Sequence, residues 1–367
     1  MGCLADDGME SMTDGVESLG DLARARRRVG PALLLALLLA AIISLSACSS
    51  STHSSAAASA PSSQPSSSAA GGSTPTSSDA PVVKNTGIKV TGAFNIQPTV
   101  TFPASQPPKQ LIEQTLIAGS GTPVAAGDTV VTNYVGEIWP TKTGSAAKVF
   151  DSSFARGAPA GFVIGTGAVI PGFDKTLVGK RIGTRMLLSI PPADGYGASG
   201  NSQAGISGTD TLVFVVDLLA DYKPNASAPG VADSQLPAAG WPKITNSPGQ
   251  QPQITSVADV KAPTSPTSKL LVKGSGAKID SSKTLVLQLV QTDIATGKQT
   301  QSTWGQQPQL VSAQNVLSVV TALNGQNIGA RAVALLPATA AQPASATAAA
   351  QPATPAQILI IDVVGQY

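Results

Sequence analysis

The residues best placed to do chemistry lie between Lys148 and Phe173, in the stretch KVFDSSFARGAPAGFVIGTGAVIPGF. It supplies one Phe-Asp pair, apolar walls and the start of a helix. It holds no His, no Cys and no Lys pair for acid–base or nucleophilic work. Such an inventory suits an apolar pocket acting on an uncharged group better than a hydrolytic site. The rest of the chain adds no metal set: the sole histidine, His53, sits in a Ser/Ala tract, and the two cysteines, Cys3 and Cys48, are far from any partner ligand. No metal, no cofactor and no disulfide is therefore expected.

The elements that must position this stretch follow from composition and pattern. A length of 367 residues favours two domains and allows a sizeable core. Val, Thr, Gly, Pro and Ser are plentiful and helix formers sparse, which favours strands and turns over bundles. A net charge of +2, with no basic run beyond Arg28, is too small to argue for a nucleic-acid partner. Around the Phe-Asp pair the pattern predicts a strand-like approach, a Gly/Ala/Pro loop, a short strand Phe162–Ile164, and VIPGF turning into a short helix over Phe173–Val178. Further strands are expected at Ile88–Thr91, Thr99–Phe102, Leu111–Ile117, Thr129–Val135, Met186–Ile190 and Thr211–Leu219.

The N-terminal part is of another kind. Arg24-Ala-Arg-Arg-Arg28 precedes an apolar run from Val29 to Leu45, which ends Leu45-Ser46-Ala47-Cys48. A basic region, an apolar region and small residues before a cut make a secretory signal. The LSAC tetrad resembles a bacterial lipobox, in which the cysteine is lipidated; the alternative is a plain transmembrane anchor. Either places the remainder outside the cytoplasm. The expectation is a signal peptide with lipobox over residues 1–47, lipidation at Cys48, and attachment to the extracytoplasmic face of the cell membrane. Residues 48–82, almost wholly Ser, Ala, Pro, Thr and Gly, read as a tether.

The chain then repeats itself. Pro98-Thr-Val-Thr101 returns as Pro252-Gln-Ile-Thr255. Leu116-Ile-Ala-Gly-Ser-Gly121 returns as Leu271-Val-Lys-Gly-Ser-Gly276, and Leu177-Val-Gly-Lys-Arg-Ile-Gly-Thr-Arg185 as Leu323-Asn-Gly-Gln-Asn-Ile-Gly-Ala-Arg331. The order is kept and the period is one domain, so this is a tandem duplication. The expected divisions are 83–222 for the first domain, 223–240 for an Ala/Pro/Ser-rich linker and 241–367 for the second. The Ala/Pro/Thr/Gln tract at 338–356 is expected to be disordered.

The pieces GDTVVTNYVG, KVFDSS, FVIGTGAVIPGF, GKRIGTR, IPPADGYG and TLVFVVDLL, in that order, resemble the FKBP-type peptidyl-prolyl cis-trans isomerases over about residues 120 to 222. The resemblance implies an α+β fold: two tandem domains, each a curled antiparallel five-stranded sheet around a short helix. It implies a prolyl pocket in the first. Carried over by position, the catalytic set is Tyr134, Phe150, Asp151, Ile170 and Tyr196. The substrate-binding set is Phe162, Val169, Phe173, Ile206 and Phe214. The Ile170 backbone N–H and the Tyr196 hydroxyl would hold a neighbouring carbonyl, while Asp151 bonds Tyr134. One departure is Ala160, where the family has an aromatic residue. Another is the long loop before Phe150, in which Trp139 is either an anchor or an exposed client contact. Implied ligands are proline-containing polypeptides and macrolides of the tacrolimus and rapamycin type, the latter with weakened contacts at Ala160.

In the second copy Tyr134 becomes Leu289, Phe150 and Asp151 fall near Thr300 and Gln301, Phe173 becomes Val319, and Phe214 becomes Leu359. Apolar strand patterns and glycine turns persist. This domain is expected to fold without isomerising, with Trp304 filling the vacated pocket. The whole reads as an isomerase assisting the folding of exported proteins at the cell envelope; the rival reading is a non-catalytic, client-binding surface lipoprotein.

Overall fold

The computed structural model describes residues 86–140, 146–232, 239–245, 247, 249–341, 350 and 352–367. The expected signal peptide, the Cys48 lipidation site, His53 and the tether lie outside the described residues, as do residues 342–349 and 351 of the 338–356 tract.

The first repeat opens with a hairpin of β1 (Lys89–Thr91) and β2 (Thr99–Thr101). Its main sheet contains β3 (Ile112–Ile117), β4 (Thr129–Ile138), β5 (Lys148–Ser152), β6 (Ala160–Val163), β7 (Arg185–Ile190) and β8 (Leu212–Tyr222). The order is β3-β7-β8-β4-β5, all antiparallel. β6 also pairs with β4, beyond the end of β5. β5 and β6 are thus two pieces of one edge strand, which reconciles six segments with the five rows expected. The break holds helix α1 (Ser153–Arg156). Ser152 Oγ caps it by accepting the Ala155 N–H at 3.3 Å, and Gly157 ends it in the left-handed region at φ 67°. Helix α2 (Pro171–Leu177) crosses the concave face, with Pro171 at its first position.

β4 is buried almost continuously rather than on alternate residues. Such burial needs cover on both faces. One face packs under α2, around Tyr134, Phe173, Leu177, Leu188 and Val216. The other carries Val135, Trp139, Leu187, Val213 and Val215, covered by Ile88, Val90, Val100 and Phe102 of the hairpin segment. Trp139 is the anchor of the two alternatives: it is buried, edge-on to Phe102 at 5.4 Å, and its indole N–H donates to Ser105 O at 3.2 Å. Arg185 fixes the hairpin. Its guanidinium meets Asp217 with two bonds of 2.6 Å and donates to Gly92 O and Ile96 O at 2.8 Å each.

The chain then crosses directly into the second repeat. Within the linker expected over 223–240, the described residues 223–232 are held against both repeats. Lys223 Nζ reaches Asp128, just before β4, at 2.7 Å, Pro224 O accepts from Gln288 Nε2 at 2.8 Å, and Ala228 N–H donates to Asp362 at 2.8 Å. β9 (Val231–Ala232) joins the second sheet. That sheet follows the hairpin of β10 (Lys243–Thr245) and β11 (Gln253–Ser256). It comprises β12 (Thr267–Lys273), β13 (Thr284–Asp293), β14 (Gln299–Ser302), β15 (Gln309–Ser312), β16 (Arg331–Leu336) and β17 (Gln357–Gln366), with helix α3 (Ala313–Val319). Its order, β14-β13-β17-β16-β12 with β15 also on β13, repeats the first. Arg331 pairs with Asp362 and donates to Ser247 O and Gln250 O, as Arg185 does in the first copy.

Candidate prolyl site

A cavity of about 540 Å³ lies between the concave face of the first sheet and α2. It is lined by Tyr134, Phe150, Asp151, Phe162, Ala168, Val169, Ile170, Pro171, Phe173, Gly195, Tyr196 and Phe214. Nine of the ten side chains carried over from the resemblance come together here. The exception is Ile206. A small bridge between Asn201 and Ile206 turns that residue inward, and it is buried in the core behind the cavity rather than placed on its wall.

The walls form a connected aromatic set. Tyr134 meets Phe162 at 5.7 Å and Phe214 at 6.1 Å between ring centroids. Phe173 stands edge-on to both Phe214, at 4.9 Å, and Phe162, at 5.8 Å, and Phe150 edge-on to Phe214 at 5.4 Å. Edge-to-face pairs contribute about 0.5–1.5 kcal/mol each beyond burial. This closes the circuit Tyr134–Phe162–Phe173–Phe214. Gly136 makes the packing possible: a Cβ there would stand 2.7 Å from Phe150 Cζ and 2.8 Å from Phe214 Cε1. Gly172 likewise lets α2 settle on Ile190, 2.7 Å from where its Cβ would be.

The polar groups sit at one end. Tyr134 Oη donates to Asp151 Oδ2, Arg156 Nη1 donates to Asp151 Oδ1, and Arg156 Nη2 donates to Tyr134 Oη at 2.9 Å. Both carboxylate oxygens are therefore engaged. Burial, and then the neighbouring Asp151, push the Tyr134 phenol up to about 12, so its proton stays in place at neutral pH. Arg156, which the sequence reading did not single out, completes this triangle and also lies over the Tyr134 ring at 5.4 Å. Its signal was local: Ser152 and Gly157 are the two caps of one helical turn, and that turn brings position 156 back over 151.

Two donors stay open. Among the described residues neither the Ile170 N–H nor the Tyr196 hydroxyl has a protein acceptor. Their loops are held through α2. Asp174 accepts from Gly165 N at 2.7 Å and Gly167 N at 2.6 Å, bracing the loop before Ile170. Lys175 pairs with Asp194 at 2.6 Å, two residues before Tyr196.

The second repeat keeps the scaffold without these groups. The β13–β14 register sets Gln301 opposite Gln291, as Asp151 is opposite Gly136. Leu289 N–H is accepted by Thr303 Oγ1 at 2.9 Å, as Tyr134 N–H is by Ser153 Oγ. α3 starts directly after β15, so the loop that carries Val169 and Ile170 has no counterpart. Trp304 does not fill the vacated pocket. It packs with Leu271, Val290, Val333 and Ile360 on the opposite, hairpin-covered face, with Arg331 over its ring at 6.0 Å.

Residues 121–219, all within the first repeat, match a family model described as FKBP-type peptidyl-prolyl cis-trans isomerase. An FK506-binding protein of Streptomyces anulatus is 38% identical over 124 residues, covering 34% of this chain and 96% of that protein. The peptidyl-prolyl cis-trans isomerase FKBP15-1 of Arabidopsis thaliana is 43% identical over 103 residues, covering 28% and 63%. Among solved structures, FkpA from Escherichia coli is 38% identical over 31% of this chain and 48% of its own, with a TM-score of 0.27, too low to bear on the fold. The strand order, the cavity and nearly the full length of the Streptomyces relative agree: this chain belongs to the family of FKBP-type peptidyl-prolyl cis-trans isomerases.

Proposed function

We propose that the first repeat isomerises X–Pro bonds of exported polypeptides at the outer face of the cell membrane, to which Cys48 anchors the chain. The observation that carries the catalytic part is an aromatic cavity with two unpartnered donors at Ile170 and Tyr196. Rotation about an X–Pro amide meets a barrier of roughly 18–20 kcal/mol because resonance holds it planar. No covalent bond need break. A proline ring seated among Tyr134, Phe162, Phe173 and Phe214 loses water around its amide carbonyl. That loss favours the twisted, less conjugated amide over the planar one. The Ile170 N–H and the Tyr196 O–H orient the peptide by holding a flanking carbonyl. Asp151, with both oxygens engaged, is no free base; it acts as a fixed negative group beside the rotating carbonyl.

The location rests on the basic, apolar and LSAC pattern alone. Mass spectrometry of the mature N-terminus tests it: a lipid-modified Cys48 is expected, and an unprocessed chain would reject it. The catalytic part is tested by isomerisation of a proline tetrapeptide. Acceleration over the spontaneous rate is expected, with competition by tacrolimus if the family's macrolides also enter. A folded protein without acceleration sinks the enzymatic reading. One observation favours a client-binding role beside catalysis: the second repeat keeps its sheet and lacks the cavity groups. Refolding of a proline-limited client separates the two roles. If refolding is assisted while peptide isomerisation is absent, binding is the main task.

A further inference from the structure

We propose that Gln307 and Leu310, in the second repeat, are positioning residues for the prolyl cavity of the first, acting through β6. This rests on the isomerase reading above. β6 is a four-residue edge segment. It carries Phe162 into the cavity wall, none of its residues is fully buried, and its ladder runs to β4 on one side only. A short edge held from one side is poorly fixed. Side chains alternate along a strand, so position 161 points away from the cavity while 160 and 162 point toward it. That outer side is where the second repeat arrives. Gln307 Nε2 donates to Gly161 O at 3.1 Å. A Cβ added at Gly161 would stand 2.8 Å from Leu310 Cδ1 and 3.6 Å from Gln307 Nε2. Gly161 has no positive φ, so the backbone does not demand glycine there; a Cβ would press on the movable end of the Leu310 side chain.

The contact therefore clamps β6 from behind, with the β4 ladder in front. Phe162 links Tyr134 to Phe173 in the aromatic circuit, so a displacement of β6 opens the cavity wall. A misplacement of about 1 Å can cost up to about a hundredfold in rate. This gives the second repeat a task that needs no pocket of its own.

The experiment uses the full chain and three single variants, Gln307→Ala, Leu310→Ala and Gly161→Ala, with the double variant Gly161→Ala/Leu310→Ala. Isomerisation of a proline tetrapeptide gives KM and kcat, and amide hydrogen exchange follows Ala160–Val163. Thermal midpoints report folding. Gln307→Ala and Leu310→Ala are expected to raise KM about threefold to tenfold and to speed exchange in β6 tenfold or more, with thermal midpoints little changed. Gly161→Ala is expected to impair KM by wedging β6 against Leu310. The double variant should regain much of the loss, because the space left by Leu310 accepts the added methyl. Unchanged KM and exchange in both Gln307→Ala and Leu310→Ala overturn the proposal, as does a double variant no better than Gly161→Ala. If the unmodified protein shows no isomerisation, the enzymatic reading fails, and β6 exchange alone still decides whether the clamp exists.

Discussion

At the scale of single residues the site works by placement, not by reactivity. Tyr134, Asp151 and Arg156 hold one another, and among the described residues the cavity is lined by no His, Cys, Lys or unengaged carboxylate. Removing one member should weaken catalysis without ending it. A net hydrogen bond contributes about 0.5–1.5 kcal/mol, and about 1.4 kcal/mol is tenfold in rate. Tyr134→Phe and Asp151→Asn are each expected to lower kcat/KM about threefold to tenfold in the peptide assay; complete loss would mean a covalent or proton-transfer role. The phenol offers a second check. Its proton is held up to about 12, against an ordinary value of 10.0. The native state thus binds this proton more tightly than the unfolded chain. Its contribution to stability is complete below about pH 10 and is lost as pH rises through about 12. In a spectrophotometric titration Tyr134→Phe should remove one late-ionising tyrosine; removal of an ordinary one near pH 10 would contradict the buried triangle. The aromatic positions were legible in the sequence because they fall in motifs with fixed spacing. Arg156 was not singled out, since its place depends on a helical turn of only four residues. Ile206 packs in the same core as Tyr134 and Phe214 without lining the cavity, since a loop bridge rather than a strand register decides where it points.

At the scale of elements, close approach matters more than propensity. Gly136 lies on β4, in the middle of the sheet, where glycine is a poor strand former. It is there because Phe150 and Phe214 occupy the space a side chain would take. Gly136→Ala should force both rings off their edge-on geometry and cost about 1–3 kcal/mol. Denaturant unfolding should show that loss together with a fall in kcat/KM of tenfold or more. A stable, fully active variant would mean the two rings can move without consequence. The strands themselves were readable from alternation and turn residues: β3, β4, β7 and β8 all lie where the pattern put them, give or take a few residues at the ends. The segment 223–232 was not readable, because its Pro, Ala and Ser composition is that of a linker. Its backbone groups are used by Gln288 and Asp362, partners 64 and 134 residues further on.

At the scale of the molecule, the duplication has preserved a joint and discarded a site. Each repeat sets a fully buried arginine–aspartate pair beneath its hairpin, Arg185 with Asp217 and Arg331 with Asp362. Each pair also receives a backbone N–H from a preceding segment, Asn95 in the first copy and Ala228 in the second. The second of these segments is the connection itself. Tyr222 and Tyr367, at the ends of the two last strands, share a hydrogen bond of 2.8 Å, and burial raises the pKa of both phenols. The two sheets are therefore joined through residues 222–232, Gln307 and Tyr367. Removing one partner of a buried pair leaves an uncompensated charge and costs about 3–5 kcal/mol. Arg331→Met strands Asp362 and loosens Ala228 with it. If the repeats are one cooperative unit, calorimetry of the full chain should give a single transition. Arg331→Met and Arg185→Met should each lower that same transition, and Arg331→Met should also reduce peptide isomerisation although it lies far from the cavity. Two resolved transitions, with Arg331→Met moving only one and leaving isomerisation untouched, would show two domains that merely share a chain.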